Sequence, residues 1–591
     1  MCVVASNREA WMSVSQRRFL VIALNSITIL PFLWINFIVF VRSKHTLLDT
    51  VIVLCGTICI PWPIVSFWNS AIGLCIILFG NAERSVYPYF RPRGPLSKLR
   101  STTALTIFMR NEDPGPVLDR LYAMYESLQQ TNCLEHFRFV LLSDTDHVDV
   151  ARSEEGVFAQ HAVSVSEDMA KPLFYRRRDR NTGYKAGNLK DYLDNHSQGD
   201  DFFVTLDSDS AMSGDILVRL VSSMEENSLI GLLQTIVIGM PAVSAFTRLF
   251  QFGLRHGVRT YNMGFSWWAH DCALYWGHNA IIRTDAFHKH CMLPKLPGEP
   301  PLGGYILSHD LLEAMFMRRG GYEVRVLPIE TESYETNPPT FLDFLCRELR
   351  WCQGTMQYWF MLSEPGIHPI SRFQVYQTLT TYIGQACCVF MTLACITKEV
   401  IGEPSVIQMS LVFGWTPHLA LAAFGIFPKL AGVFEAVTTS SRRYGGSFRC
   451  ILSTFVELFL MTFIAPITAL AVALFLCGLL KGKSITWDGQ NRDRLGLSWR
   501  DSFRALWPQT VLGFGVLLAI RGTAELAWAI PSAVGLLLAI LVAVITASPR
   551  FGDAITSMRL FEIPEEIELP LLLSKLLPAG FKAKKRIWGV R

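Results

Sequence analysis

Two carboxylates, Asp207 and Asp209, stand two residues apart at the end of a short apolar run from Phe202 to Leu206. Carboxylates so close together repel. A hard divalent cation relieves that repulsion, because it prefers oxygen ligands and can bridge to phosphate oxygens. The same pattern also suits an acidic turn or a helix N-cap. Two further apolar runs end in acids: residues 103–109 run into Asn111-Glu112-Asp113, and residues 137–142 into Ser143-Asp144-Thr145-Asp146. Asp144, with Asn111 and Glu112 beside it, could accept hydrogen bonds from a base or ribose; each could equally cap a turn. Between these runs lies Lys185-Ala186-Gly187-Asn188, where the ammonium could meet a phosphate and Gly187 admits close backbone approach. The preceding Arg176-Arg177-Arg178 reads as a solvated face.

Further along, Trp267, Trp268, Trp276, His278 and Asn279 form an aromatic and polar cluster. Flat rings suit the CH faces of sugars, and His278 and Asn279 could bond hydroxyls, but a core or an interfacial belt reads the same way. Asp310 falls in the first turn of a helix for which Ser308 is the natural N-cap. A carboxylate there is favoured by the helix dipole alone, by about 0.3–1 kcal/mol; the alternative is a general base. In an amphipathic helix over residues 341–361, Arg347, Arg350 and Trp351 are spaced to share one face. Two guanidiniums and an indole suit a phosphate and a ring, or a lipid headgroup.

These residues need a scaffold that gathers strand ends. Strand, helix, strand over residues 103–142, then another strand over 202–206, is the pattern of an open, mostly parallel sheet, which binds ligands at the carboxyl ends of its strands. No Gly-x-Gly-x-x-Gly and no Walker loop is present, so a nucleotide would be held by acids, a metal and cations. The fourteen cysteines are scattered without a Cys-x-x-Cys pair and read as reduced core residues. A net charge of +4 gives no case for nucleic acid.

The chain of 591 residues is 50% hydrophobic and 18% charged, with the excess concentrated in blocks. Residues 19–41 and 51–80 are long enough to cross a bilayer, and the first is too long for a cleaved signal peptide. Arg17 and Arg18 before them, and Arg84, Arg91, Arg93, Lys98 and Arg100 after them, place both flanks in the cytoplasm. The expected organisation is a short cytoplasmic N-terminus (1–18), two transmembrane helices (19–83) and a cytoplasmic α/β domain with interfacial helices (84–372). A C-terminal membrane region (373–549) of four to six spans or re-entrant pieces follows, then a cytoplasmic tail (550–591). Residues 450–480, interrupted by Ala465-Pro466 and carrying Glu457, suggest an interfacial helix plus a re-entrant piece, or two short spans. Charge logic asks for six or eight spans in all. The basic loop 481–507 falls on the cytoplasmic side.

In order, these motifs resemble those of the family 2 inverting, processive glycosyltransferases of membranes, such as cellulose and hyaluronan synthases. The narrower likeness is to the glucosyltransferase H family of periplasmic glucan synthesis. It rests on residues 275–283 (Tyr-Trp-Gly-His-Asn-Ala-Ile-Ile-Arg), Leu296-Pro297-Gly298-Glu299, Ile306-Leu307-Ser308-His309-Asp310, Ser333-Tyr334-Glu335 and Arg350-Trp351-Cys352-Gln353-Gly354. The resemblance implies a transmembrane helical bundle carrying a cytoplasmic α/β nucleotide-sugar transferase domain of the GT-A fold, in a bacterial inner membrane.

It also implies roles. Asn111, Glu112, Asp144 and Lys185 would bind UDP-glucose, and Asp207 and Asp209 would hold its diphosphate through Mg²⁺ or Mn²⁺. Asp310 would be the catalytic base, and Arg347 and Arg350 would steady the leaving diphosphate. Trp351, Trp276, His278 and Asn279 would receive the growing glucan, and Trp487, Gln490 and Arg492 would lie in a gating loop. Periplasmic glucan-modifying proteins are the implied partners. Arg347 stands where cellulose synthases carry Gln, and the sequence has little of the long N-terminal region of typical members, which sets aside regulation residing there. The rival readings are a glycosyltransferase acting on a lipid acceptor and a transporter with a nucleotide-sensing domain.

Overall fold

The computed structural model describes residues 12–91, 98–166, 173–197, 199–403, 416–485, 496–521 and 524–577. Its α/β unit is built on a seven-stranded sheet. In chain order the strands are β1 (Thr103–Met109), β2 (Phe137–Ser143), β3 (Phe174–Arg177), β4 (Phe202–Asp207), β5 (Ala211–Met212), β6 (Ile230–Thr235), β7 (Ile238–Gly239), β8 (Ala280–Arg283), β9 (Glu323–Leu327) and β10 (Ser333–Glu335). The main sheet runs β3-β2-β1-β4-β8-β6-β9, and β5-β10-β7 form a small second sheet. In the main sheet every neighbour pair is parallel except those of β8, which runs antiparallel between β4 and β6. A mostly parallel sheet with a single reversed strand fits the expected open α/β architecture.

Strands β1, β2 and β4 are buried almost throughout because helices cover both faces, as a parallel sheet requires. One core lies under the Pro114–Gln129 and Gly214–Glu226 helices, with Leu121, Phe139, Val204 and Leu220 among its residues. The other lies under the Tyr184–Asn195 and Asp310–Arg319 helices, around Phe203, Tyr192, Ile282 and Phe316. Asp144 follows β2 and Asp207 closes β4, so register alone brings the two acids to one edge.

Five helices are long and apolar enough to cross a membrane: Val14–Arg42, Leu47–Phe79, Pro369–Val400, Thr416–Thr439 and Ser447–Leu479. A bent pair, Ala527–Leu537 and Ala539–Ala547, makes a sixth if counted as one span. Among the described residues the count is therefore five or six, against the expected six or eight. The expected break at 450–480 is corrected: Ser447–Leu479 is one helix with Pro466 inside it. Glu457 does not interrupt it because Lys429 of the preceding helix meets its carboxylate at 2.6 Å. The outer faces of these helices carry exposed apolar side chains such as Phe19, Ile27, Trp34, Phe455 and Phe459.

The α/β unit is joined to the bundle by the long Ala245–Ala269 helix. Gly264 and Gly73 let it lie directly on the Pro61–Phe79 helix; a Cβ on either would overlap the other helix's backbone. Arg17 donates to the carbonyls of Ser85 and Trp267, and Arg18 pairs with Asp271 at 2.5 Å. The N-terminal end of the first membrane helix is thus tied to the α/β unit.

Candidate active site

The acid pair sits at the carboxyl edge of the sheet. Asp207 ends β4, and a turn closed by the Ser210 N–H to the Asp207 carbonyl places Asp209 behind it. Asp209 is only 6% exposed, and the Thr336 hydroxyl donates to its Oδ2 at 2.8 Å. Asp207 faces outward and is met by the Lys185 ammonium, which also donates to the Gly277 carbonyl at 2.9 Å and lies over the Phe108 ring. A cation is therefore already stationed at the outer carboxylate.

Among the described residues no group of three or more His, Cys, Asp or Glu is arranged to hold a metal ion. A partly exposed Asp207 with Asp209 behind it does fit a hard cation that takes its remaining ligands from water and a diphosphate.

Asp310 stands across from this edge. It opens the Asp310–Arg319 helix, and its side chain lies against Gly277, whose φ of +84° suits glycine. The Tyr358 hydroxyl is 3.5 Å from Asp310 Oδ1. The residue at the helix N-cap is His309, not the expected Ser308. Ser308 instead lies beneath Gly354, where any Cβ would overlap its side chain and backbone. That close approach brings the Phe341–Met356 helix, with Arg350, onto the loop that carries Asp310.

His309 is buried, with Nδ1 2.8 Å from Glu313 Oε2. Burial opposes its charge, but the Glu313 carboxylate outweighs it and holds the imidazole pKa above the ordinary value.

On the Phe341–Met356 helix the two arginines divide their tasks. Arg347 stacks on Trp351 at 4.6 Å and also lies over Phe250 and Phe344. Arg350 faces Asp207 and Glu112; burial brings its guanidinium down to about 10 despite both carboxylates, and Arg347 adds to the lowering. Arg347 thus packs its guanidinium against three rings, while Arg350 is the arginine on the side of the sheet-edge acids. Trp351 is 43% exposed beside it. The neighbouring Gln353 accepts from the Ile485 N–H at 2.8 Å. Trp487, Gln490 and Arg492 of the expected gating loop lie outside the described residues.

Other sequence candidates prove to be braces. Asn111, at φ +54°, donates to Asp146 and accepts from the Asp146 and His147 N–H groups. Its amide clasps the loop after β2. Asp144 is buried and gripped by Arg178 through both oxygens, at 2.7 and 2.8 Å. Burial raises its pKa, and the Arg178 pair opposes that rise.

The arginine run is accordingly not a solvated face: Arg176 pairs with Asp191, Arg177 with Glu155 and Arg178 with Asp144. Asn279 is fully buried and its amide is spent on the Ser333 hydroxyl and the Tyr334 carbonyl, so it cannot bond a sugar hydroxyl. Trp276 and His278 are half-buried. The Trp276 backbone N–H donates to Gln234 Oε1, and His278 Nε2 lies 3.3 Å from Glu335. Trp267 and Trp268 belong to the membrane junction: Trp268 donates to Asn69 at 2.9 Å, and Arg17 lies over Trp267. Arg178, Thr336, Tyr358 and the His309–Glu313 pair carry no local sequence signal.

Comparison with known proteins places this geometry. The family model described as "Glycosyl transferase family group 2" matches residues 202–484, which include the acid pair, Asp310 and Arg350. A glucans biosynthesis glucosyltransferase H from Xanthomonas campestris pv. campestris (strain B100) is 34% identical over 96% of this chain and 90% of its own length. The protein of that name from Escherichia coli (strain K12) is 31% identical over 92% of this chain and 65% of its own length. Among solved structures, a mannosyltransferase from Pyrobaculum calidifontis in complex with GDP-Man and Mn²⁺ is similar at 13% identity, covering 66% of this chain and 98% of that one, with a TM-score of 0.42. The chain is a membrane-associated glycosyltransferase and belongs to the glucans biosynthesis glucosyltransferase H family.

Proposed function

We propose that the chain transfers glucose from UDP-glucose, with inversion, to the end of a growing β-linked glucan, of β-1,2 linkage, and that it does so processively. The α/β domain works on the cytoplasmic face of a bacterial inner membrane, and the glucan leaves through the bundle toward periplasmic glucan-modifying proteins. The observation that carries this reading is the opposition of Asp310 to the Asp207–Asp209 edge across Gly277 and Lys185.

The nucleoside lies along the β1 and β2 ends, beside Glu112 and over the Arg178–Asp144 pair. Lys185 exchanges Asp207 for a phosphate oxygen as the donor enters. Asp207 and Asp209 would hold Mg²⁺ or Mn²⁺, which when bound would supply positive charge to the diphosphate leaving group. Arg350 takes its share of that charge from the membrane side. Asp310 removes the proton from an acceptor hydroxyl, which attacks the anomeric carbon in line. Trp351, pinned by Arg347, offers a flat face to the acceptor sugar, with Trp276 and His278 on the opposite side.

Membrane vesicles given UDP-[¹⁴C]glucose and Mg²⁺ test the reading. Label should enter a water-soluble polymer whose linkage analysis gives β-1,2 bonds. Label extracted into organic solvent would show a lipid acceptor instead, and no incorporation would remove the transferase reading.

A further inference from the structure

After its last membrane helices the chain returns to the α/β unit, and what it touches there bears on Asp209. The Phe561 N–H donates to Ser453 of the bundle, and the Phe561 ring packs on Phe252. Glu565 then receives the Arg255 guanidinium, and Glu566 receives Arg248 at 2.5 and 3.0 Å, all four groups being buried. Beyond them Leu572, Leu573 and Leu577 pack with Ala123, Ala211, Ile238, Met240 and Tyr334, and Lys575 pairs with Glu126.

Those apolar partners are mostly the small sheet. Ala211 opens β5 two residues after Asp209. Tyr334 is central in β10, pairing with Ala211 on one side and Ile238 on the other. The residue after β10 is Thr336, the donor to Asp209. Leu573 is fully buried under this sheet. The β10 strand therefore has the C-terminal segment on one face and, at its end, the hydroxyl that holds the inner carboxylate.

We infer that residues 561–577 are a positioning strut: by packing Leu573 beneath β5 and β10 and locking Glu565 and Glu566 to the Ala245–Ala269 helix, they fix the Thr336–Asp209 contact and so the geometry in which the acid pair meets a divalent cation and a diphosphate. The inference rests on the proposed reading of Asp207 and Asp209 as the cation–diphosphate site. Its physical basis is that removing a partner which orients a metal-binding carboxylate costs roughly tenfold to a hundredfold in metal affinity. The segment touches no reacting atom, and it transmits the position of the last membrane helices to the sheet edge.

The test is Mn²⁺ binding to the full chain in detergent, followed by electron paramagnetic resonance in the presence of UDP, alongside transfer kinetics and melting temperature. Thr336→Val and Leu573→Ala should each weaken Mn²⁺ binding by about tenfold, with kcat at saturating Mn²⁺ little changed in Leu573→Ala, and Leu573→Met should restore the affinity. Phe287→Leu, which loosens the core on the far side of the sheet, should lower the melting temperature without weakening Mn²⁺ binding. If Leu573→Ala does not accumulate, Lys575→Glu places like charges at Glu126 and should give a smaller loss in the same assay.

Unchanged Mn²⁺ affinity in the segment variants, with Thr336→Val weakened, would overturn the strut alone. An equal loss in Phe287→Leu would do the same. Unchanged Mn²⁺–UDP binding in both Asp207→Asn and Asp209→Asn would remove the acid-pair reading beneath it.

Discussion

Two clusters of ion pairs in this protein have similar lengths and opposite characters. At the sheet edge Lys185 meets Asp207, with Arg350 and Glu112 nearby. At the junction with the bundle, Arg248 meets Glu566, Arg255 meets Glu330 and Glu565, and Arg259 meets Glu330 and Glu435. The Asp207 side chain is 38% exposed, whereas that of Glu566 is 5% exposed.

Exposure decides what a pair can do. A solvated pair contributes about 0–1 kcal/mol, so Lys185 can leave Asp207 for a phosphate at little cost. Breaking a buried pair strands a charge and costs about 3–5 kcal/mol, so the junction cluster stays as it is. The first cluster is poised for exchange, and the second is framework.

The largest expected effect that bears on this contrast is Asp310→Asn. Loss of a general base should lower kcat by about 10²–10⁴-fold, with UDP binding and melting temperature unchanged. Near-normal transfer in this variant would take Asp310 out of the mechanism. Arg255→Ala comes next, on the framework side. It takes from Glu565 the cation it shares with Glu330, which keeps Arg259, and stability should fall by about 3–5 kcal/mol, read as a lower melting temperature and poor accumulation in the membrane. Should Arg255→Ala instead melt normally, the division between exchangeable and framework pairs would fail on its strongest member.

Lys185→Ala is expected to show the reverse pattern. Stability should change by less than about 1 kcal/mol, as for other partly solvated pairs. Donor binding should weaken by roughly tenfold to a hundredfold, since a hydrogen bond to a charged group contributes about 1.5–3 kcal/mol. Titration with UDP in the presence of Mg²⁺ reads that loss directly. A large drop in melting temperature with unchanged UDP affinity would move Lys185 into the framework.

The same contrast explains what was legible in the sequence. The strands ending at Met109, Ser143 and Asp207 could be read to within a residue, because each is an uninterrupted apolar run closed by polar residues. Asp207, Asp209, Lys185 and Asp310 stood out because chemistry at a strand end or a first helical turn leaves a local mark.

The framework leaves none. Glu566 lies 318 residues from Arg248, and Thr336 lies 127 from Asp209. Strands of two to four residues, such as β5, β7, β8 and β10, are too short to show a period. Asn111 and Asn279 looked available because a sequence shows an amide but not the carbonyls and N–H groups that occupy it. The break expected at 450–480 came from the same blindness, since Glu457 reads as an unpaired charge until Lys429 is seen beside it.

The smallest effect concerns His309, which touches both classes: it is buried like the framework but adjoins Asp310. Its neighbours are Glu313, which favours the imidazolium, Lys185, which opposes it, and Asp310, which favours it weakly. The net result is a folded pKa above the ordinary histidine value of about 6.5. A group whose pKa rises on folding stabilises fully below its unfolded value, and that contribution disappears as pH climbs through the folded one. The melting-temperature difference between the native chain and His309→Gln should therefore be greatest below about pH 6.5 and shrink as pH rises above it. A difference that grew with pH would mean that His309 is neutral beside Glu313. The first turn of the Asp310 helix would then carry one more negative charge than the pairing implies, and Asp310 would sit in a site more acidic, and more dependent on Lys185, than the framework around it suggests.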